Sequence, residues 1–165
     1  MPRLALPAEP RPDAVTAIVD TREQLPFVLD PLRVERGTLA TGDYSVKGLE
    51  RVIAVERKSL QDLVGCVGRE RDRFDREVQR LVAYPVRALV VEASWDDVRQ
   101  GEWQGRVTPR QVEGSLLGWI AAGLPVIMAG SRVFAQTYTA RLLYIAARRR
   151  WREARALIGE TLADE

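Results

Sequence analysis

Four short apolar runs set the strongest limit on how this chain folds. Val15–Val19, Val52–Val55, Val86–Val91 and Pro125–Met128 are rich in β-branched residues, and their length suits buried strands rather than helices. Helical spacing and capping signals lie between and after them. Ser59-Leu-Gln-Asp62 matches a capping box that opens a helix of about two turns, and Thr108-Pro-Arg-Gln111 repeats the device with proline at the first helical position. Residues 70–83 carry Phe74, Val78, Leu81 and Val82 on one stripe, and Pro85 ends that helix. A short helix is expected from Ser94. Another should run from Thr108 to Gly123 with Val112, Leu116, Trp119 and Ile120 inward, and a long one with an arginine-rich end from Ser131 to Ile158. Residues 32–38 and 43–46 read as a pair of strands around the turn at Thr41-Gly42. The expected architecture is therefore α/β, a three-layer sandwich with a central mixed β-sheet, antiparallel in its early pairs and parallel in the later strands.

At 165 residues the chain suits one domain. The expected partition is a disordered, proline-rich leader over 1–13, the folded domain over 14–158 and a C-terminal tail over 159–165. The leader lacks the apolar stretch of a signal peptide, and no apolar run approaches the roughly 18 residues that span a bilayer. A cytoplasmic or nucleoid-associated protein with no membrane partner is expected. The single cysteine, Cys66, excludes an internal disulfide and a cysteine-clustered metal site, and reads as a small apolar residue on a buried helix face.

Histidine is absent, which removes Ser-His-Asp hydrolases and His-ligated zinc enzymes. Chemistry near neutral pH then falls to carboxylates, lysine, a hydroxyl or a bound metal. Of 25 basic residues only Lys47 and Lys58 are lysine. A chain that prefers arginine so strongly draws attention to Lys58, because an ammonium can lose a proton where a guanidinium cannot. The net charge of +2 is small, so contact with nucleic acid depends on local arginine clusters.

Glu56-Arg57-Lys58 closes the second strongly apolar strand. Residues two apart on a strand share a face, so Glu56 and Lys58 project together and Arg57 points the other way. A carboxylate and a lysine at the tip of an apolar strand suit metal-assisted phosphodiester hydrolysis, and Asp43 offers a second carboxylate. Oxygen donors of this kind favour Mg²⁺ or Mn²⁺ over zinc.

The order Gly42-Asp43, Glu56-Arg57-Lys58, Asp62 resembles the GDx(n)ERKx(3)D signature of the XPF-type structure-specific endonucleases, in the PD-(D/E)xK superfamily. Asp20-Thr-Arg-Glu23 looks like the DxRE element upstream of it. Gly68-Arg-Glu-Arg-Asp-Arg-Phe74 with Arg80-Leu81 is similar to the family's arginine-containing helix. The resemblance covers residues 15 to 150 and implies a restriction-endonuclease-like nuclease core. It implies that Asp43 and Glu56 are metal ligands with the Arg57 carbonyl as a third, and that Lys58 is the catalytic lysine. Asp20 and Glu23 would sit beside the ion and assist a second one, while Asp62 would orient the lysine or arginine side. Arg22, Arg57, Arg69, Arg73 and Arg80 would meet DNA, with Arg22 and Arg57 also supporting the acids. The implied substrate is branched, flap or junction DNA, and the implied partner is a second copy joined through about residues 112–145. No counterpart of the family's C-terminal helix-hairpin-helix pair is expected after Arg150.

Other readings stand beside these. An inactive DNA-binding partner of the same fold, or a junction-resolvase-like or restriction-like nuclease, would share much of the pattern. Asp62 at the third position of a capped helix is equally a helix-start carboxylate. Arg69, Arg71 and Arg73 alternate with acids and read equally as a solvated helix face. Arg148-Arg-Arg150 and Arg152 offset a helix dipole as readily as they bind phosphate. Trp95, Trp103, Trp119 and Trp151 read as packing residues.

Overall fold

The computed structural model describes residues 7–161. Six strands form one sheet: β1 (Thr16–Asp20), β2 (Arg33–Gly37), β3 (Tyr44–Val46), β4 (Ile53–Lys58), β5 (Val86–Val91) and β6 (Val126–Met128), in the order β2-β1-β3-β4-β5-β6. Among the described residues five α-helices, preceded by a short 3-10 helix at Pro12–Ala14, complete it: α1 (Leu60–Val67), α2 (Arg71–Val82), α3 (Trp95–Gln100), α4 (Pro109–Ala121) and α5 (Arg132–Thr161). Each of the four apolar runs is a strand. The capping signals also hold, since Ser59, Ser94 and Thr108 each accept a hydrogen bond from the amide three residues on.

Alternation along the central strands sorts their side chains between two cores. On one face Val19, Tyr44, Ile53, Val55 and Val90 meet α5 through Ala135, Ala140, Leu143 and Ala147. On the other, Ala54, Leu89 and Val91 meet α1, α2 and α4 through Leu63, Phe74, Leu81, Leu116 and Trp119. The sheet is thus filled on both faces, which is why β4 and β5 read as continuous apolar runs. The expected three-layer α/β sandwich is the observed one.

Strand direction departs from expectation. β1 pairs with β2 in parallel and with β3 antiparallel, β3 is antiparallel to β4, and β4, β5 and β6 are parallel. Only β3 runs against the other five. The strands over 32–38 and 43–46 do not pair with each other, because β1 lies between them. Two local contacts account for this. The connection from β1 to β2 buries Phe27, Leu29 and Leu32 on the α5 face, which lets it return as a parallel crossover. After β2, the Leu39 amide donates to the Asp20 carboxylate at 2.7 Å, so the chain passes over the end of β1. The carboxyl ends of β1, β4 and β5 and the start of β3 consequently share one edge, where open α/β sheets bind ligands.

Helix α4 also differs in detail. Leu116 and Trp119 are buried as expected, but Ile120 is 41% exposed beside Leu117 at 58%. Ile120 lies about 100° further round the helix than Trp119 and so leaves the buried stripe. Part of the expected leader lies against α5. Glu9 pairs with Arg152 at 2.7 Å, and the Tyr144 hydroxyl donates to the Pro10 carbonyl at 3.3 Å. Residues 1–6 of that leader and 162–165 of the expected tail lie outside the described residues.

Candidate active site

Ala54 of β4 faces the α1–α4 side, so Glu56 and Lys58 continue that face while Arg57 joins Ile53 and Val55 on the α5 side. The Lys58 ammonium lies 2.7 Å from a Glu56 oxygen and 5.2 Å from the Phe74 ring centre. The register Tyr44↔Val55 brings Asp43 opposite Glu56 across the β3–β4 pair. Asp43 is pinned there twice. Its amide donates to the Val55 carbonyl at 2.8 Å, and its carboxylate accepts from the Arg57 amide at 2.8 Å. Gly42 allows this approach, because it has φ of 80° and a Cβ there would stand 3.0 Å from the Val55 carbonyl oxygen.

Two carboxylates facing each other in a largely desolvated setting resist ionising together. Burial, then the neighbouring Glu56, push the Asp43 carboxyl up to about 7. Burial likewise raises the Glu56 carboxyl, against the pull of Lys58. Burial alone would depress the Lys58 ammonium, but Glu56 outweighs it and holds the lysine protonated above its ordinary range. One lysine thus offsets part of the charge of two acids, which leaves room for a cation.

The donor set fits a divalent metal. An amide and carbonyl of one strand residue point to the same side. The Arg57 amide reaches Asp43, so the Arg57 carbonyl is turned toward the same carboxylate. Two carboxylates and a carbonyl, all hard oxygens, suit an ion that retains waters, as Mg²⁺ does. Among the described residues no three Asp, Glu or Cys side chains converge as a metal cluster. Glu77 of α2 lines the same cleft, within 3.4 Å of the Gly42 amide, and pairs with Arg80.

The α5 side of the strand end is organised differently. Arg57 sits 2.6 Å from Glu92 and 3.5 Å from Glu23, and Glu92 lies 3.0 Å from Arg132. Both guanidinium groups lie against the Phe27 ring, at 5.5 and 5.1 Å. That ring stacks on Tyr44 with centroids 5.2 Å apart, and the Tyr44 hydroxyl accepts from the Phe27 amide at 2.9 Å. Arg132 also donates to the Leu25 and Pro26 carbonyls, tying the loop after β1 to the start of α5.

The remaining sequence candidates fall into distinct places. Asp20 is 2% exposed, and its oxygens accept from the Arg22 amide at 2.9 Å, the Arg22 guanidinium at 2.7 Å and the Leu39 amide. Burial opposes ionisation, yet these donors hold the Asp20 carboxyl below its ordinary range. Arg22, held by Asp20 and the Leu39 carbonyl, borders the Asp43 cleft. Asp62 accepts from the Ser59 hydroxyl at 2.7 Å as part of the helix cap, and it lines the cleft without bonding Lys58 or Arg57. The Arg57 side chain is 11% exposed and paired with Glu92. Arg69 and Arg73 line a groove leading to Lys58, with Arg73 paired to Glu70, while Arg80 is paired to Glu77. At the far end of α5, Arg148 and Arg152 pair with Glu9, and Arg149 and Arg150 with Glu153.

Four residues at this edge escape a reading of the sequence: Glu77, Glu92, Arg106 and Arg132. Glu92 has a visible signal, since it follows an apolar strand as Asp20 and Glu56 do. The other three sit on helices or a loop whose approach to the site is set by tertiary packing.

The ERCC4 domain family matches residues 19–142. Among solved structures, XPF from Aeropyrum pernix superimposes with a TM-score of 0.64 at 20% identity, over 79% of this chain and 61% of that one. XPF from Aeropyrum pernix in complex with DNA gives a TM-score of 0.62 at 19% identity, over 81% of this chain and 66% of that one. The chain thus spans under two thirds of the length of these two structures. No curated protein matches. At such identities the structural likeness is one of fold, and it agrees with the mixed sheet described above.

Proposed function

The chain belongs to the ERCC4 domain family as an XPF-type nuclease domain, and from that premise we propose that it is a metal-dependent DNA endonuclease acting at Asp43, Glu56 and Lys58. One observation carries the reading. Two opposed carboxylates at a sheet edge are pushed toward protonation by burial, with a single lysine to offset them. Such a pair costs stability unless a cation takes it up.

Asp43, Glu56 and the Arg57 carbonyl are the proposed ligands for Mg²⁺ or Mn²⁺. The ion would supply Lewis-acid charge at the scissile phosphate. Lys58 stays protonated and donates to the developing negative charge on the phosphoryl oxygens or orients the incoming water. Glu92 and Glu23 hold Arg57, and through it the strand end that presents both donors. Asp20 fixes the crossover that delivers Asp43, and Asp62 caps α1 at the cleft's rim. That reading favours structural support over a second ion for Asp20. Arg22, Arg69, Arg73 and Arg80 are the proposed phosphate contacts, and such contacts position without reading sequence.

Branched, flap or junction DNA is the proposed substrate, in repair or recombination, with residues 14–158 as the nuclease unit. Self-association is proposed through the exposed Leu117, Ile120, Phe134 and Tyr138 of α4 and α5, within the 112–145 stretch. No helix among the described residues is long and apolar enough to cross a membrane. A cytoplasmic or nucleoid-associated location is proposed with the substrate. The presence of both acids and the lysine argues against an inactive scaffold.

The test uses labelled flap, fork and linear DNA with Mg²⁺, Mn²⁺ or EDTA. The expected result is cleavage with either ion, none in EDTA, and a loss on the order of 10³-fold in Glu56→Ala. Undiminished cutting in EDTA or in that variant would overturn the site. Equal cutting of linear and branched DNA would indicate a restriction-like enzyme. Full activity in Lys58→Arg would remove the special role of the lysine.

A further inference from the structure

Lys58 carries its ammonium at the end of a flexible four-carbon stem, so where that charge stands depends on what holds it. Two groups reach it. A Glu56 oxygen lies 2.7 Å away, and the Phe74 ring lies under the ammonium with its centroid at 5.2 Å, within the range of a cation–π contact. Among the described residues no hydrogen-bond acceptor other than Glu56 meets this ammonium. Glu56 is also a proposed metal ligand, so its hold on the lysine is shared with that role. The ring face has no second cation beside it among the described residues.

The ring is itself locked in orientation. Phe74 is buried on α2 and meets the buried Trp119 indole of α4 edge to face, with centroids 4.8 Å apart and planes at 71°. The indole N–H donates to Asp75 at 3.0 Å. Asp75 also accepts from Arg71 at 3.2 Å, and Arg71 donates to the Ser115 hydroxyl of α4 at 2.9 Å. One turn of α2 (Arg71, Phe74, Asp75) is thus fastened to one turn of α4 (Ser115, Trp119), and the Phe74 ring stands between that joint and Lys58. Apolar burial alone would keep Phe74 inside without choosing the plane of its ring, whereas the hydrogen-bonded indole chooses it.

The opposite face of β4 supports its cations differently. Arg57 and Arg132 also lie against a ring, Phe27, but each is paired with Glu92, so an acid with no proposed ligand role carries the charge there. Lys58 has only an acid with a second proposed duty, which leaves its ring the larger share of the work.

We propose that Phe74 is a positioning residue: its ring face, oriented by Trp119, holds the Lys58 ammonium in the place from which it acts on the phosphate. The kinetic consequence rests on the nuclease reading, while the hold itself is a property of the chain without metal or DNA.

The two parts are tested separately. Lys47 and Lys58 are the chain's only lysines, so ¹³C-lysine labelling gives two sets of signals, assigned with Lys47→Arg. In EDTA without DNA, the ring current should move the terminal methylene protons of Lys58 upfield of those of Lys47, and Phe74→Leu should abolish the difference. The kinetic arm replaces Phe74 site-specifically by mono-, di- and trifluorophenylalanine, which keep the ring's shape and drain negative charge from its face. With Mg²⁺ and saturating DNA, the single-turnover rate should fall with each fluorine, to about a tenth for the trifluoro ring. DNA half-saturation should stay unchanged, because the lysine acts on charge that develops in the transition state. Val98→Ala, which opens a fully buried site in the same core, should lower Tm and keep the wild-type rate.

A rate indifferent to fluorination, a loss confined to half-saturation, or an equal rate loss in Val98→Ala would overturn the proposal. So would a Lys58 signal that coincides with that of Lys47 or stays in place in Phe74→Leu. A chain that shows the Lys58 shift but cuts no DNA keeps the hold and loses the nuclease reading. One that cuts at a rate indifferent to the fluorines does the reverse.

Discussion

The end of β4 presents acids on both faces of the sheet, and the two faces treat them in opposite ways. On the α5 side, Glu92 and Glu23 meet two guanidinium groups laid against Phe27, so each acid has a cation beside it. On the α1–α4 side, Asp43 lies opposite Glu56, Lys58 alone forms an ion pair with either acid among the described residues, and burial drives both toward their neutral forms. The first arrangement gives each acid an ion-pair partner, and the second leaves Asp43 without one among the described residues. Buried acids that are satisfied hold a fold together, whereas buried acids left short of cations define where a ligand belongs.

Substitution on the two faces should therefore move activity and stability in different directions. The largest expected effect is on cleavage. Asp43→Asn should lose about 10³-fold in rate, comparable with Glu56→Ala, while Glu92→Gln, which acts through Arg57 and Arg132, should lose about 10–100-fold in a single-turnover assay. Equal losses would erase the distinction between ligand and support.

Stability should run the other way. Glu92→Ala strands Arg57 and Arg132 and should cost about 3 kcal/mol, or about 6–12 °C in Tm, by calorimetry without metal. Asp43→Asn should raise Tm at pH 8 by on the order of 5 °C. The sign follows from linkage. The folded Asp43 carboxyl titrates near 7 against an ordinary 3.8, so the folded state holds this proton more tightly than the unfolded chain. Stability is full below the ordinary value and is lost as pH rises from about 4 through about 7, and asparagine escapes that loss. The gain should shrink to nothing below about pH 4, and a pH-independent gain would point to packing instead. The smallest effect belongs to Asp62→Ala, with about 1 kcal/mol lost from the α1 cap and cleavage within about threefold of wild type. A loss of cleavage far beyond that would make Asp62 part of the reaction.

Much of this contrast is legible in the chain itself. Strand alternation separates Glu56 and Lys58 from Arg57, the capping boxes place α1 and α4, and the four apolar runs become the parallel strands β1, β4, β5 and β6. What stays hidden depends on contacts between distant residues. The parallel pairing of β1 with β2 rests on Phe27, Leu29 and Leu32 burying in a loop that reads as polar punctuation. The four donors that reach the Asp20 carboxylate, three from Arg22 and one from the Leu39 amide, come together only in the folded chain. Arg132 is remote from Arg57 in sequence and shares one carboxylate with it, which no local pattern encodes.

The proposed active site requires the Asp43–Glu56 pair to take up one divalent cation. The direct measurement is the thermal shift of the chain against Mn²⁺ or Mg²⁺ at pH 8, compared with Glu56→Ala and Glu92→Gln. A saturable rise is predicted, worth about 2.7 kcal/mol at about 100 times the dissociation constant. That rise should persist in Glu92→Gln and vanish in Glu56→Ala. An equal rise in Glu56→Ala, or none in the wild-type chain at saturating metal, would contradict it.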